Sequence, residues 1–599
     1  MIVTMKKITL LCLADRRDSS LKALRDLGVV HVQSIQPPAG SNIDSTEARI
    51  AKAQRCLQVW DRLEAEEPAR TETSNDPIQL VEKLNNLADK RQSCLEKRAA
   101  IQREITRVEP FGDFDPDLVK DLAEDDIEVR LYEALATREY DIPENLHYIK
   151  LNEVESRVYF CLAGYAKDFP EDFPIEQVTL PHESLGELRE KLSEARKSLE
   201  DVEKEICELV KFKPSLEHYL SEEQEELEFL SVREGMGSEE RFAWLEGFCP
   251  EENVEAVQAA AAEHGWGIVV NDPDPEDNVP TQLRFPGWVK PIKALLDFLS
   301  ITPGYREADV STIFLLFFSV FFGILIGDAG YGALMLGGVI FARVKLRKAP
   351  SYPFTLFSIL AVCTIVWGVL TGNYFGITDL PAPLASMRVN WLSNENPDSM
   401  YNIMGLCFLI GAIQLTIAHG WNVLAYFPRL QFLAQIGWAG VVWTMYFTIG
   451  FLVLQQPFPP VMFYVFGASV VLIILFMTPP KQLKEEWINH VMLPLDLISC
   501  GVDIISYVRL FAVGMATLAL ADSFNDMAMQ AGFGSVLSGA IAVLIIVFGH
   551  TLNIILGALA VLVHGVRLNT LEFSMHKDLT WAGYRYAPFS RKEHSKSME

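Results

Sequence analysis

Residues 493–520 read LPLDLISCGVDIISYVRLFAVGMATLAL, an apolar run longer than the ~20 residues a membrane-spanning helix needs. Arg509 stands inside it, between Val508 and Leu510. A charged side chain at the bilayer centre costs about 2.5–3.5 kcal/mol on insertion scales, and arginine does not escape by losing its proton. The run therefore reads as a long membrane helix carrying a fixed positive charge that needs a negative partner. At 100° per residue Asp496, Ser499, Asp503 and Ser506 fall within about 80° of one another, with Arg509 about 60° further round. On one reading Asp503 is the arginine's internal salt-bridge partner. On the other, the whole face is a polar path that leads to a cation.

The last apolar stretch, 536–571, repeats the pattern. His550, Asn553, Gly557 and His564 fall within about 60°, with Arg567 about 60° from His564. Arg567 and Glu572 also admit a plainer reading, as anchors near the end of the helix. Further apolar stretches run at 312–342, 353–376, 401–426, 432–455 and 460–478. Arg343, Lys345, Arg347 and Lys348 mark a cytoplasmic loop, as do Lys481 and Lys484, and so does a tail with Lys577, Arg585, Arg591, Lys592 and Lys596. The loop 376–399 sets Arg388 against Asp379, Glu395 and Asp398 and reads as external. Basic residues follow 312–342 directly, so that stretch must enter and leave on one side. It reads as a hairpin turning near Gly327-Asp328-Ala329-Gly330, with Asp328 in the turn. The alternative is one straight span. The hairpin gives about eight membrane segments, the last two long and tilted. His419, Gln414 and His490 read as helix-packing groups.

Outside these stretches the chain changes character. Of 599 residues 50% are hydrophobic and 22% charged, with 52 Lys+Arg against 78 Asp+Glu and a net charge of −26. Residues 311–599 hold 15 basic and 14 acidic groups, leaving 37 and 64 for residues 1–310. An acidic half is a poor nucleic-acid binder, which needs a basic face. The nine cysteines are scattered singly with no CxxC pair, which argues against a disulfide framework or zinc site. The opening Met1–Leu13 lacks a cleavable signal's long apolar core, so a cytoplasmic first half is expected. No GxxxxGK[ST], HExxH or GxSxG occurs, so no nucleotide, metal or acyl-transfer chemistry is expected, and no cofactor.

Ile8–Leu13, a helix with Leu21, Leu24 and Leu27 stopped by Gly28, and Val29–Val32 read as strand–helix–strand. A heptad-like stripe follows at Ile50, Ala53, Leu57 and Trp60. After the polar break Thr71–Pro77 it resumes from Leu80 to Val108, with Arg91 and Arg98 on the seam. A second runs Leu185, Leu188, Leu192, Ala195, Leu199, Val202, Ile206, Leu209, the alternating spacing of a left-handed coiled coil. Both are narrow and each needs a partner; an antiparallel pair is the simplest answer, an ordinary helical bundle the alternative. The fold class expected is mixed: an elongated N-terminal α/β dumbbell with an antiparallel coiled coil, then an all-α polytopic membrane domain. The boundaries expected are a cytoplasmic domain at 1–290, a linker at 291–310, a membrane domain at 311–580 and a cytoplasmic tail at 581–599. Within the first, the near lobe takes 1–45 and 234–290, the coiled coil 46–109 and 184–231, and the distal lobe 110–183.

Several segments resemble subunit I of bacterial and archaeal V/A-type rotary ATPases, the counterpart of V-ATPase subunit a. They are Ser506-Tyr507-Val508-Arg509-Leu510, Val563-His564-Gly565-Val566-Arg567-Leu568 with Glu572-Phe573, and Phe322-Gly323 through Gly327-Asp328-Ala329-Gly330-Tyr331-Gly332. Leu245-Glu246-Gly247-Phe248-Cys249-Pro250 resembles the family's Gly-Trp-Val-Pro turn, with Phe248 and Cys249 as departures, and the opening from Met5 to His31 is also typical. The resemblance implies two lobes joined by a coiled coil that docks peripheral stalk subunits, and eight membrane segments whose last two pack on a rotating ring. It implies that Arg509 and Arg567 face the ring's ion-carrying carboxylates. Eukaryotic members carry a glutamate at the place of Gly557 and a histidine at the place of Thr517, so the path lining does not transfer in detail. Asp496, Ser499, Asp503, Ser506, His550, Asn553, His564 and Glu572 are its candidates here.

The function implied is a non-catalytic stator subunit in a prokaryotic cell membrane, coupling ATP hydrolysis or synthesis elsewhere in the complex to H⁺ or Na⁺ movement. Its partners would be membrane ring subunits, peripheral stalk subunits, a central-stalk connector and the lipid bilayer, with no nucleic acid. The rival is a stand-alone secondary ion transporter with a scaffold arm. That class builds its site between repeated halves, and 311–599 has no convincing repeat.

Overall fold

The computed structural model describes residues 2–63, 76–135, 142–143, 145–154, 156–170, 173, 175, 177–377, 381–393, 396–479, 484, 487–532 and 534–591. Thr71 to Asn75, Asp379, Glu395, Lys481, Lys592 and Lys596, used above for the helix break and the topology, lie outside the described residues.

Strand β1 (Met5–Leu13) buries Met5, Ile8, Leu10 and Cys12. Helix α1 (Arg17–Leu27) ends on Gly28, whose φ of 65° lets its N–H reach the Leu24 carbonyl, a left-handed turn that glycine makes without a Cβ penalty. After β2 (His31–Gln33) come α2 (Ser41–Arg62) and α3 (Pro77–Val108). Asp76 caps α3 by accepting from the Ile78 and Gln79 amides, and Pro77 occupies the first turn. Helix α4 (Pro116–Glu124) leads into an antiparallel sheet of β3 (Ile127–Leu135), β4 (His147–Val154), β5 (Arg157–Tyr165) and β6 (Gln177–Val178), in the order β4-β5-β3-β6.

Helix α5 (Leu185–Glu208) starts at a Ser184–Glu187 capping box and buries Leu185, Leu188, Leu192, Leu199 and Ile206. It runs antiparallel to α3, as the pairs Glu109–Arg189, Arg91–Glu203 and Lys83–Glu205 require. Arg91 is thereby neutralised on the seam, its Nε 2.7 Å from Glu203. Helix α6 (Lys213–Gly235) packs along α2, with Arg49 bonded to Glu223 at 2.9 Å. β7 (Gly237–Glu239), β8 (Phe242–Pro250), α7 (Val254–His264) and β9 (Gly267–Asn271) then complete the first sheet, which is antiparallel with order β2-β8-β1-β9 and β7 on β8.

The C-terminal half is helical. Helix α8 (Ile292–Leu299) buries Ile292, Leu295 and Leu296. Helix α9 (Ser311–Ile326) is apolar and buried over most of its length, with Phe314, Phe317, Phe318, Phe321 and Phe322 in one core. It stops at Gly327 (φ 68°), and Asp328 caps α10 (Ala329–Lys345) through the Gly330 and Tyr331 amides at 2.7 and 3.1 Å. Both helices pack on α11 (Ser351–Thr371). Glycines permit this: a Cβ on Gly323 would lie 2.9 Å from the Cys363 carbonyl oxygen, and one on Gly368 would overlap the Ala329 backbone. The short α12 (Ala382–Ala385) precedes α13 (Ser399–Tyr426), α14 (Phe432–Leu454) and α15 (Val461–Phe476).

Helices α16 (Trp487–Ser506) and α17 (Val508–Ala531) follow, then α18 (Val536–Ala560), π-helical turns at Val561–Gly565 and Leu568–Phe573, and α19 (Ser574–Lys577). Among the described residues, five helical runs are long and apolar enough to cross a membrane: Ser351–Thr371, Ser399–Tyr426, Phe432–Leu454, Trp487–Ala531 and Val536–Lys577. Ser311–Ile326 and Val461–Phe476 are shorter apolar helices. The tail then returns to the first sheet. Tyr586 Oη donates to the Val29 carbonyl at 2.6 Å, the Phe589 amide donates to the Val30 carbonyl at 2.8 Å, and Phe589 enters the core beside Phe229.

Candidate functional site

Arg509 does not lie midway along one continuous helix, as 493–520 suggested. The helix breaks at Tyr507, whose amide bonds the Ile504 carbonyl. Tyr507 is fully buried, and its hydroxyl donates to Gln414 Oε1 at 2.8 Å. That anchor on α13 fixes the break and places Arg509 in the first turn of α17. The partner of Arg509 is Glu572 and not Asp503: Nη1 lies 3.2 Å from Glu572 Oε1, with Arg567 Nε 3.6 Å from the same oxygen. Glu572 is 4% exposed, and its Oε2 has no partner among the described residues. Two guanidiniums thus share one carboxylate, and the cluster keeps a net charge of +1. The side chains of Arg509 and Arg567 remain 26% and 52% exposed.

The helical-wheel stripes divide differently. On α16 Asp496 and Ser499 are exposed, whereas Asp503 turns inward and bonds His576 Nε2 at 3.1 Å. Ser506 Oγ donates to the Asp503 carbonyl at 2.7 Å. On the last helix, residues 561–573 are mostly π-helical. Their wider turns break the 100° register, so His564 and Arg567 do not continue the face of His550 and Asn553. The latter two instead meet Tyr331 of α10, whose hydroxyl is 2.6 Å from His550 Nδ1 and accepts from Asn553 Nδ2 at 3.0 Å. Asn553 also donates to the Thr517 carbonyl and His550 Nε2 meets Asn525 Oδ1. Asp328 Oδ1 is spent on the α10 cap, while Asp328 Oδ2 and Asn553 Oδ1 have no partner among the described residues. Gly557 and Thr517 face each other across α17 and α18, a Cβ on the glycine falling 3.9 Å from Thr517 Cγ2.

Polar groups therefore gather at two levels. One cluster holds Tyr331, His550, Asn553 and Asn525. The other holds Asp503 and His576, to which His419 is added by a 2.9 Å contact with His576. Tyr331 entered the sequence reading only within a family-like motif and His576 not at all, because each is distant in the chain from the groups it meets. Gln414, His419 and Asn569 are buried and bonded in helix contacts, Gln414 Nε2 donating to Asn569 Oδ1 at 2.9 Å. His490 Nε2 lies 3.3 Å from the Ile474 carbonyl. Among the described residues, no three His, Cys, Asp or Glu side chains are grouped to hold a metal ion.

The same arginines and the polar residues around them occur in a chain that aligns end to end with known proteins. It is 30% identical over 620 residues to V-type ATP synthase subunit I of Borreliella burgdorferi, covering 99% of this chain and 100% of the relative. It is 31% identical over 629 residues to V-type ATP synthase subunit I 1 of Treponema pallidum, with the same coverage. The chain belongs to the V/A-type ATP synthase subunit I family. A-type ATP synthase subunit I of Methanocaldococcus jannaschii is 25% identical over 388 residues, 59% of this chain and 56% of that protein. No family model matches. A crystal structure of the cytoplasmic N-terminal domain of subunit I, homolog of subunit a, of V-ATPase covers 44% of the chain at 14% identity and a TM-score of 0.23, too slight a likeness to bear on the fold. As a subunit I protein with five candidate spans, the chain is a membrane subunit of a rotary ATPase and works among that complex's other subunits.

Proposed function

We propose that this subunit is the stator of the membrane sector, non-catalytic by itself, with its arginine pair facing the ion-carrying carboxylates of a rotating ring. The observation that carries the reading is the Arg509–Glu572–Arg567 cluster: a net positive charge, half open, at the end of an apolar face. That face is the exposed row Leu537, Ile541, Leu544, Phe548, Ile555 and Leu559 on α18, at the three-, four- and seven-residue spacing of one helical stripe. The Val536–Lys577 span is also the least buried of the five, 17% of its window against 33–50% for the rest, which leaves room for a large partner.

A ring carboxylate must be neutral or ion-loaded to face lipid. Beside Arg509 its ionised state is favoured by the nearby opposite charge, so it releases its ion there and reloads on the far side. The two polar clusters suit the two half-channels, one through Asp496, Ser499, Asp503 and Ser506, the other through His550 and Asn553. A cavity of ≈ 390 Å³ bounded by Asn373, Arg388, Asn396 and Asp522 offers water a way towards the second. The positive charge between them opposes direct proton leakage. The α3–α5 and α2–α6 pairs form the coiled-coil arm that holds peripheral stalks against torque, the lobes docking the stalks and a central-stalk connector on the cytoplasmic side. Arg509→Ala in the assembled complex tests the reading: ATP-driven ion uptake by vesicles is abolished while the complex stays assembled. Retained coupled uptake would defeat it.

A further inference from the structure

His419, on α13, and His576, on α19, belong to neither arginine nor helix cap, yet they are joined end to end. Gln435 Oε1 of α14 lies 2.8 Å from His419 Nδ1, His419 Nε2 lies 2.9 Å from His576 Nδ1, and His576 Nε2 lies 3.1 Å from Asp503 Oδ2. His419 is 4% exposed, and the His576 and Asp503 side chains 9% and 19%. With the Gln435 amide turned oxygen-first to His419, as it stands in the structure, the protons follow in order. A carbonyl oxygen only accepts, so His419 carries its proton on Nδ1 and offers a lone pair at Nε2. That lone pair accepts Nδ1–H of His576, which leaves His576 Nε2 as the free ring nitrogen facing a carboxylate oxygen. Two lone pairs opposed at 3.1 Å repel, and a single added proton turns the contact into a charge-assisted hydrogen bond.

The geometry points to a proton-binding site at Asp503 and His576, positioned by His419 and Gln435. This rests on the reading of the chain as an ion-translocating stator and adds a place where the proton waits. In the transfer the Oδ2–H bond of a protonated Asp503 breaks as the Nε2–H bond of His576 forms, giving carboxylate and imidazolium; the reverse returns the proton. The nitrogens follow one another in a row and do not converge on a point, consistent with the lack of a metal cluster among the described residues. The other ionisable groups facing the site are Cys500 and Tyr507 beside Asp503, and Lys577, Asp578 and Glu307 near α19. Lys577 is held by Asn422 Oδ1 at 2.7 Å, and Asp578 by Tyr426 at 3.1 Å. Trp438 stacks against His419 at 6.3 Å between ring centres, closing the site from the α14 side.

The test is ATP-driven proton uptake by vesicles holding the assembled complex, with ATP hydrolysis measured on the same sample. Asp503→Asn is expected to lower uptake about tenfold or more, the scale of losing a positioned acid–base group, while Asp503→Glu keeps most of it. His576→Ala is expected to fall likewise and to recover when imidazole is added, which a packing role would not allow. His419→Gln, acting only through His576, is expected to weaken the solvent deuterium isotope effect on uptake. If Asp503→Asn and His576→Ala stay within about twofold of the native complex while Arg509→Ala abolishes uptake, the site is refuted and the stator reading stands. If Arg509→Ala retains uptake, the stator reading itself fails. Should His576→Ala not assemble, Asp503→Asn alone decides, since that side chain lies at the open end of the row.

Discussion

Glu572→Gln isolates what the buried carboxylate does for the arginine pair. The substitution keeps shape and an acceptor oxygen, but raises the cluster from a net +1 to +2. At an effective dielectric of about 20, opposite charges 3.2 and 3.6 Å apart attract by roughly 5 kcal/mol each. The guanidiniums are partly exposed, so solvent screening removes much of that. Even ~1.4 kcal/mol of surviving excess attraction for an incoming ring carboxylate lengthens its stay about tenfold. The expected outcome is a complex that turns over ATP about tenfold more slowly with its ratio of ions moved to ATP spent intact, because the ring is held longer and does not slip. Steady-state hydrolysis and uptake in the same vesicles, with rotational dwell times from single complexes, measure both quantities. Turnover and dwell times unchanged within about twofold would refute the idea that Glu572 competes with the ring for the arginines.

Three further outcomes follow from other contacts. Gly368→Ala sets a Cβ into the Ala329 backbone, and with backbone on both sides unable to yield it should destabilise the subunit by about 3 kcal/mol or more, read as a lower thermal midpoint of the solubilised complex. Tyr331→Phe deletes the hydroxyl shared by His550 and Asn553 and should cost about 1–2 kcal/mol in the same assay. His31 packs against the tail, its Nδ1 2.7 Å from the Ala587 carbonyl, and burial holds its pKa below the ordinary histidine value. The unfolded or detached form then binds more protons, so the tail's attachment is firm above about pH 6.5 and weakens as pH falls below it. The protection of the Phe589 amide from hydrogen exchange, corrected for the pH dependence of intrinsic exchange, should fall between pH 7 and 5.5 in the native chain and lose that dependence in His31→Gln.

What could be read from sequence was mainly local. Gly28, Gly327 and Asp328 announce their turns because cap and helix are neighbours in the chain, and the stretches 353–376, 401–426 and 432–455 are apolar for as long as a helix needs to be. Arg509 stood out because one charge in an apolar run has no cheap local solution. Its true partner lies 63 residues on, beyond a segment whose π-turns shift every later side chain from its expected angle. Asp503 was nearer and sat on a plausible face, but it pairs with His576 of the last helical segment instead. His419 is 157 residues from His576, and nothing in the spacing of either indicates that their rings touch. Pairwise contacts between helices are set by packing, and one sequence does not disclose them.

The return of residues 580–591 to the first sheet gives the molecule a tie-rod. Phe589 is locked into the lobe that begins the arm, and Thr580 is bonded to Glu307 just before the first apolar helix. In the stator proposed above, a sideways push on the helix bearing Arg567 would have a load path straight to that lobe through these contacts, bypassing the loops that join the other helices.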